Sequence, residues 1–238
     1  MRGLGRYYEI DVEVAGEPDP QTGYLLNIRE IDLAVRDAGL AVLEAAARDP
    51  RGAAATPMGT LMRELSLGVG RGLRVPIRSI ELRLTPWLAL GLRSGTMDEV
   101  TIRHSYEFAA AHRLHVPSLS DAQNRAVFGK CNNPSGHGHN YRVDVEARCP
   151  IDPQGHVLAV DRLDDAVLRS VIEPLDHKHL NIDVPEFKDL NPSVEHIARV
   201  VFRLAQGEVE SLGCRLDAVT VWETPKTSCT YREPAAGA

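Results

Sequence analysis

Little in this chain belongs to secreted, membrane-spanning or nucleic-acid-coating proteins. Its four cysteines, Cys131, Cys149, Cys214 and Cys229, form no regular framework, which argues against a disulfide scaffold and fits a reducing compartment. Cys149, Cys214 and Cys229 read as small core residues. There is no excess of positive charge: 27 Lys and Arg stand against 33 Asp and Glu, for a net charge of -6 and a pI near 5.9. A nucleic-acid surface needs a basic stripe and is not expected here. A small anionic substrate is still allowed, through a local cluster such as Arg113, Lys130 and Lys226. No run of 18 apolar residues occurs, and Met1 to Tyr7 lacks the apolar core of a signal peptide. A soluble, cytoplasmic protein that makes no membrane contact is therefore expected.

What the chain does have is enough length for a core, 238 residues with 43% hydrophobic content, in one large domain or two small ones. Its most pointed segment is Phe-Gly-Lys-Cys-Asn-Asn-Pro-Ser-Gly-His-Gly-His-Asn-Tyr, residues 128–141. The alternation that follows, Tyr141 to Ala147, is that of a half-buried strand. On a strand, side chains repeat every second residue, so His137 and His139 project from one face and can reach one ion. On a helix the same spacing would set them about 160° apart. A lone His-x-His pair is as often a surface or hydrogen-bonded feature as a ligand pair. A catalytic zinc takes three protein ligands and keeps one position open. His112 supplies the third if Phe108, Ala110, His112 and Leu114 share a face of a neighbouring strand. With Cys131 beside them, the three histidines read as a metal site with a nucleophile or base. His104, His115, His156, His179 and His196 have no partner at ligand spacing and read as surface or structural.

The sequence also repeats itself. Tyr8 to Val14, followed by Asp19-Pro-Gln-Thr-Gly23, mirrors Tyr141 to Ala147, followed by Asp152-Pro-Gln-Gly155, at a spacing of 133 residues that falls to 132 after Thr22. Thr56-Pro57 matches Asn191-Pro192, each read as a helix N-cap followed by proline at the first helical position. Ile80 to Pro86 echoes Val219 to Pro225. The chain therefore reads as two copies of one unit, residues 1–96 and 97–238, joined near Ser94-Gly95-Thr96. The first copy has no counterpart of His112, Cys131, His137 or His139, and Leu84 stands where the second has Glu223. It is expected to be structural, without catalysis.

Within the second copy, Leu163, Val167 and Val171 make a helical stripe ending at Pro174, and Ile197, Val200, Val201 and Leu204 make another. Strands are expected at 218–223 and 228–232. The order strand, strand, helix, helix, strand, strand predicts an α+β fold: in each unit an antiparallel sheet of four strands, or three in the first copy, with both helices on one face. Such a sheet leaves two edges to cover, which oligomers joined edge to edge would do.

From Arg103 to its end the chain resembles the 6-pyruvoyl-tetrahydropterin synthase family of the tunnelling fold, which includes the bacterial 6-carboxytetrahydropterin synthases. The resemblance rests on Phe108-Ala-Ala-Ala-His-Arg-Leu114, the 128–141 segment, Leu175-Asp-His-Lys-His-Leu-Asn181, Pro192-Ser-Val-Glu195 and Val221-Trp-Glu-Thr-Pro225. It implies a Zn²⁺ held by His112, His137 and His139, with Cys131 as base, Asp176 and His177 handling protons, and Glu223 and Ser193 binding the pterin. The implied substrate is 7,8-dihydroneopterin triphosphate, which loses triphosphate to give 6-pyruvoyl-tetrahydropterin. The alternative is the carboxylate product of the queuosine branch. The six-residue step from Cys131 to His137 resembles the pyruvoyl-forming loop and favours the first. A pterin- or metal-binding module without turnover is the reading from another class; it would have no need of Cys131 and Asp176-His177 together. Single-unit relatives form hexamers with sites between subunits, so a homo-oligomer of three two-unit chains is expected here.

Overall fold

The computed structural model describes residues 8–48 and 56–233. Residues 1–7, on which the signal-peptide reading rests, and the outer ends of the two expected units lie outside the described residues. The chain divides into two compact units, Met1–Arg103 with Arg148–Leu158, and His104–Ala147 with Ala159–Ala238.

The first unit runs β1 (Glu9–Val14), α1 (Ile28–Ala34), a π-helical turn (Val35–Gly39), α2 (Leu40–Arg48), α3 (Met58–Arg71), β2 (Ile77–Thr85) and β3 (Leu88–Arg93). β2 pairs antiparallel with β1, Val12 opposite Ile80, and with β3, Leu82 opposite Leu90. Thr85 closes the β2–β3 turn, its Oγ1 accepting from the backbone N–H groups of Trp87 and Leu88. Period-two burial puts Ile80, Leu82, Leu90 and Leu92 on one face of the sheet. α3, packed on β2 and β3, buries Leu61, Met62, Leu65 and Val69 at helical spacing.

The second unit begins within β4 (Glu99–His112) and continues with α4 (Asp121–Phe128), a 3₁₀ turn (Gly129–Asn132), β5 (His137–Pro150), α5 (Val160–Val167), a π-helical turn (Leu168–Ile172) and α6 (Glu173–Leu175). β6 (Lys178–His179), α7 (Leu180–Asp183), a 3₁₀ turn (Pro185–Phe187), α8 (Val194–Ser211), β7 (Arg215–Thr224) and β8 (Thr227–Tyr231) complete it. Its strands lie in the order β4-β5-β7-β8. The short β6 adds a parallel pairing on β4, Ala110 opposite Lys178. Two residues are too few to show an alternation, so the sequence gives no sign of it.

Leu163, Val167, Val171 and Leu175 are all fully buried. A strict four-residue repeat drifts about 40° per step around an α-helix of 3.6 residues per turn, and the intervening wider turn keeps the stripe in line. α8 packs on α5, β7 and β8, burying Ile197, Val200 and Val201 together with Phe202 and Ala205, while Leu204 is only half-buried.

Three readings need correcting. The helix starts are shifted: α8 is capped by Ser193, whose Oγ accepts from the His196 N–H, and Pro57 occupies the capping position of α3. Neither proline is a first helical residue. α4 was not expected, although Ser120 and Gln123 make a reciprocal capping box. Finally, Cys149 and Cys214 are disulfide-bonded and buried, leaving Cys131 and Cys229 as the free thiols. Cys149 lies near the end of β5 and Cys214 just before β7, and nothing in the sequence spacing marks either as disulfide-bonded. No helix among the described residues is long and apolar enough to cross a membrane.

Candidate active site and metal centre

The second unit brings the three histidines together. His112 is the last residue of β4 and fully buried; His137 and His139 open β5, both half-buried. One ring nitrogen from each lies within 4.8 Å of the other two, a group able to hold a metal ion. His112 Nδ1 is 2.8 Å from the Pro192 carbonyl oxygen. An oxygen acceptor there requires the proton on Nδ1, which leaves a lone pair on Nε2. That Nε2 lies 3.1 Å from His137 Nε2, close to the ~3.3 Å between nitrogen ligands of a tetrahedral zinc. His139 Nε2 is buried without a hydrogen-bond partner. A buried nitrogen without a partner is costly alone and is satisfied by a cation shared with the neighbouring rings.

Burial lowers the His112 pKa to about 4, against the opposing pull of the Pro192 carbonyl. Burial, with His139 nearby, also lowers that of His137. Neutral imidazole is the form that binds metal, so the site is poised for a cation near neutral pH.

The approach to His137 depends on Gly136, which has φ +72. A Cβ there would meet His179 Nε2 at 2.7 Å and the His112 carbonyl oxygen at 3.0 Å. Only glycine both adopts this conformation freely and fits the space.

Cys131 sits in the 3₁₀ turn, a half-buried free thiol. It lines an open cavity of about 830 Å³ with His137, His139, Arg113, Arg125 and Lys130. Two buried asparagines hold the surrounding loops. Asn132 Nδ2 donates to the Leu114 carbonyl. Asn124 accepts from the Val116 N–H and donates to the carbonyls of Val116, Leu119 and Ser120. Sequence reading singled out neither; a buried amide bonding to its own loop has no spacing signature.

Glu223, on β7, places Oε1 3.5 Å from His112 Nε2 and 3.8 Å from His139 Nε2. It therefore stands beside the histidine cluster itself. Tyr141, fully buried, stacks on Phe108 and carries a hydroxyl without a partner. Burial pushes its phenol pKa upward, with the Glu223 carboxylate and Cys131 acting in the same direction. The sequence marks Tyr141 only as a strand residue.

Asp176 and His177 are joined, Oδ2 to Nδ1, at 2.7 Å, and His177 is 83% exposed. The Ala109 N–H donates to Asp176 Oδ1 and the His177 N–H to the Ala109 carbonyl. The first of these bonds, then His177, lowers the Asp176 pKa. His177 has φ +56, an uncommon conformation outside glycine. The pair does not line the Cys131 cavity. His177 lines a second one of about 610 Å³, with His139 and His179. His179, read above as surface or structural, therefore adjoins the site. Ser193 caps α8 one residue after Pro192, whose carbonyl bonds His112. Lys226 falls in the β7–β8 turn, outside the lining of the Cys131 cavity.

A sheet that brings three histidines able to hold a metal ion beside a free thiol has the make-up of a candidate metal-dependent catalytic site. The family model for 6-pyruvoyl tetrahydropterin synthase matches residues 101–234. A Drosophila melanogaster protein named 6-pyruvoyl tetrahydrobiopterin synthase is 44% identical over 131 residues, 53% of this chain and 76% of that protein. The Homo sapiens protein of the same name is 38% identical over 139 residues, 58% and 94% of the two chains. The solved structure of Caenorhabditis elegans 6-pyruvoyl tetrahydropterin synthase, 39% identical, superposes with a TM-score of 0.54 over 57% of this chain and 96% of that one. The chain belongs to the 6-pyruvoyl tetrahydropterin synthase family.

Proposed function

We propose that this protein is a zinc-dependent carbon–oxygen lyase that takes 7,8-dihydroneopterin triphosphate, releases triphosphate and forms 6-pyruvoyl-tetrahydropterin. The observation that carries the reading is the convergence of three histidines, two of which share a cavity with a free thiol, in a chain whose relatives bear that synthase name. His112, His137 and His139 hold the zinc. When bound, it supplies Lewis-acid stabilisation of negative charge developing on a side-chain oxygen of the substrate. Cys131 removes the proton from the carbon bearing that oxygen. Asp176 orients His177 through the bond to Nδ1, so that the imidazole can return or relay a proton. The Glu223 carboxylate anchors the amino-pyrimidine edge of the pterin through paired hydrogen bonds, and Ser193 offers a hydroxyl at the start of α8.

The first unit is a non-catalytic copy of the second. Several features support this. Helix, helix and hairpin follow β1 as they follow β5. π-helical turns recur at Val35–Gly39 and Leu168–Ile172, again 133 residues apart. Asp19 and Asp152 each accept backbone N–H bonds at Oδ1, before Gly23 and Gly155 with positive φ. The exposure of the Asp176–His177 pair, away from Cys131, supports a homo-oligomer in which the pair serves a neighbouring copy's cavity. Light scattering giving an active monomer would refute that assembly.

The reaction is tested by incubating zinc-loaded protein with 7,8-dihydroneopterin triphosphate and measuring released triphosphate, with Cys131→Ala alongside. Release by the parent protein and none by the variant supports the lyase. Equal release by both, or none by either, refutes it.

A further inference from the structure

Part of the lining of the Cys131 cavity is cationic, and the proposed chemistry gives it no role. Arg113, Arg125 and Lys130 line it, against the single carboxylate of Asp121. This concentration stands out in a chain with six more acids than bases. Among the described residues none of the three cations is held in an ion pair. The Arg113 side chain makes one hydrogen bond, from Nε to the Asn132 carbonyl at 3.3 Å, so its outer nitrogens remain for a ligand.

The cations are also held in place from behind. The Arg113 backbone is clasped by Asn181, whose Oδ1 accepts from its N–H and whose Nδ2 donates to its carbonyl. The Leu114 N–H donates to the Cys131 carbonyl, tying the segment that follows β4 to the turn that carries Lys130. Asn124, fully buried and satisfied at both ends of its amide, pins α4 and hence Arg125 to the 116–120 loop. Fixed backbones beneath three free cations lower the ordering cost of binding a polyanion. Guanidinium groups suit phosphate oxygens through paired charge-assisted bonds.

We infer that Arg113, Arg125 and Lys130 form a polyphosphate clamp that holds the triphosphate chain while the carbon to which it is attached lies near Cys131. The inference rests on the proposed substrate and adds which groups recognise its anionic end. It also makes the clamp a specificity element: phosphorylated pterins bind, and dephosphorylated ones gain nothing from it.

The test uses inorganic tripolyphosphate as the probe, titrated calorimetrically into the zinc-loaded full chain, with the Arg125→Ala/Lys130→Ala double variant and Lys226→Ala as a control off the cavity. Tripolyphosphate should bind the parent and the control alike. The double variant should bind it about ten-fold or more weakly, as expected when charge-assisted contacts are removed, with unchanged zinc content and circular dichroism. In turnover, the double variant should raise KM for the triphosphate substrate with kcat little affected. Equal tripolyphosphate affinity in parent and double variant overturns the clamp even if the parent is a fully active lyase. Binding lost in the double variant, from a parent that does not turn over the pterin, upholds the clamp and overturns the lyase reading instead.

Discussion

Replacing Gly136 with alanine tests how tightly the site is built. Two costs add. The residue has φ +72, and holding a non-glycine side chain there costs about 1–2 kcal/mol. The new Cβ would also lie 3.0 Å from the His112 carbonyl and 2.7 Å from His179 Nε2. The His179 ring can rotate away, whereas the carbonyl belongs to paired β4 and can yield only by moving the strand end that carries His112. About 1 kcal/mol more is a fair figure for that overpacking. The sum, roughly 2–3 kcal/mol, corresponds to a fall in Tm of about 5–10 °C for a chain of this size. Because Gly136 adjoins His137 and touches His112, the displacement also opens the ligand set, and zinc affinity should fall by about ten-fold or more, as when groups supporting metal ligands are lost. Calorimetric melting of the metal-free protein and competition with a zinc chelator measure the two effects separately. Gly95→Ala, where a Cβ meets nothing within 4 Å, is the comparison. A Gly136→Ala protein matching it in both Tm and zinc affinity would refute the reasoning.

Other outcomes follow from the same geometry. Asn124→Ala removes a fully buried amide with four backbone partners and should cost about 2–4 kcal/mol, seen as a lower urea midpoint, with greater proteolysis in the 114–132 loops. His137→Ala should abolish stoichiometric zinc, which atomic absorption checks; retained zinc would sink the three-histidine site. Cys131→Ala should keep zinc at parent stoichiometry while triphosphate release disappears. In the metal-free protein, His112 is neutral down to about pH 4 when folded but protonates near 6.5 when unfolded. A lowered folded-state pKa in a base favours the fold above the unfolded value, so stability is complete above about pH 6.5 and falls towards pH 4, by roughly 3 kcal/mol at most. Urea midpoints across that range should show the slope in the parent and a flatter one in His112→Asn.

Where local pattern determined structure, the sequence was readable. The period-two logic that joined His137 to His139, and Phe108 to His112, depends only on strand geometry, and the three rings do converge. The stripes of α5–α6 and α8 were visible for the same reason, although the wider turn that keeps Leu163 and Leu175 in line was not. What escaped detection depended on tertiary proximity: Glu223 beside the histidines, His179 against Gly136, the disulfide-bonded state of Cys149 and of Cys214, and Asn124 bonding backward into its own loop. The capping box at Ser120 and Gln123 was legible and overlooked, because α4 lacks an apolar stripe to draw attention to it. The cationic cluster was partly anticipated: Arg113 and Lys130 line the cavity, Lys226 does not, and Arg125 takes its place.

The most direct test of the central claim is the mass of the pterin formed when the zinc-loaded full chain is incubated with 7,8-dihydroneopterin triphosphate. A product with the mass of 6-pyruvoyl-tetrahydropterin is the predicted result. A carboxy-pterin with acetaldehyde, or recovery of unchanged substrate, would contradict it.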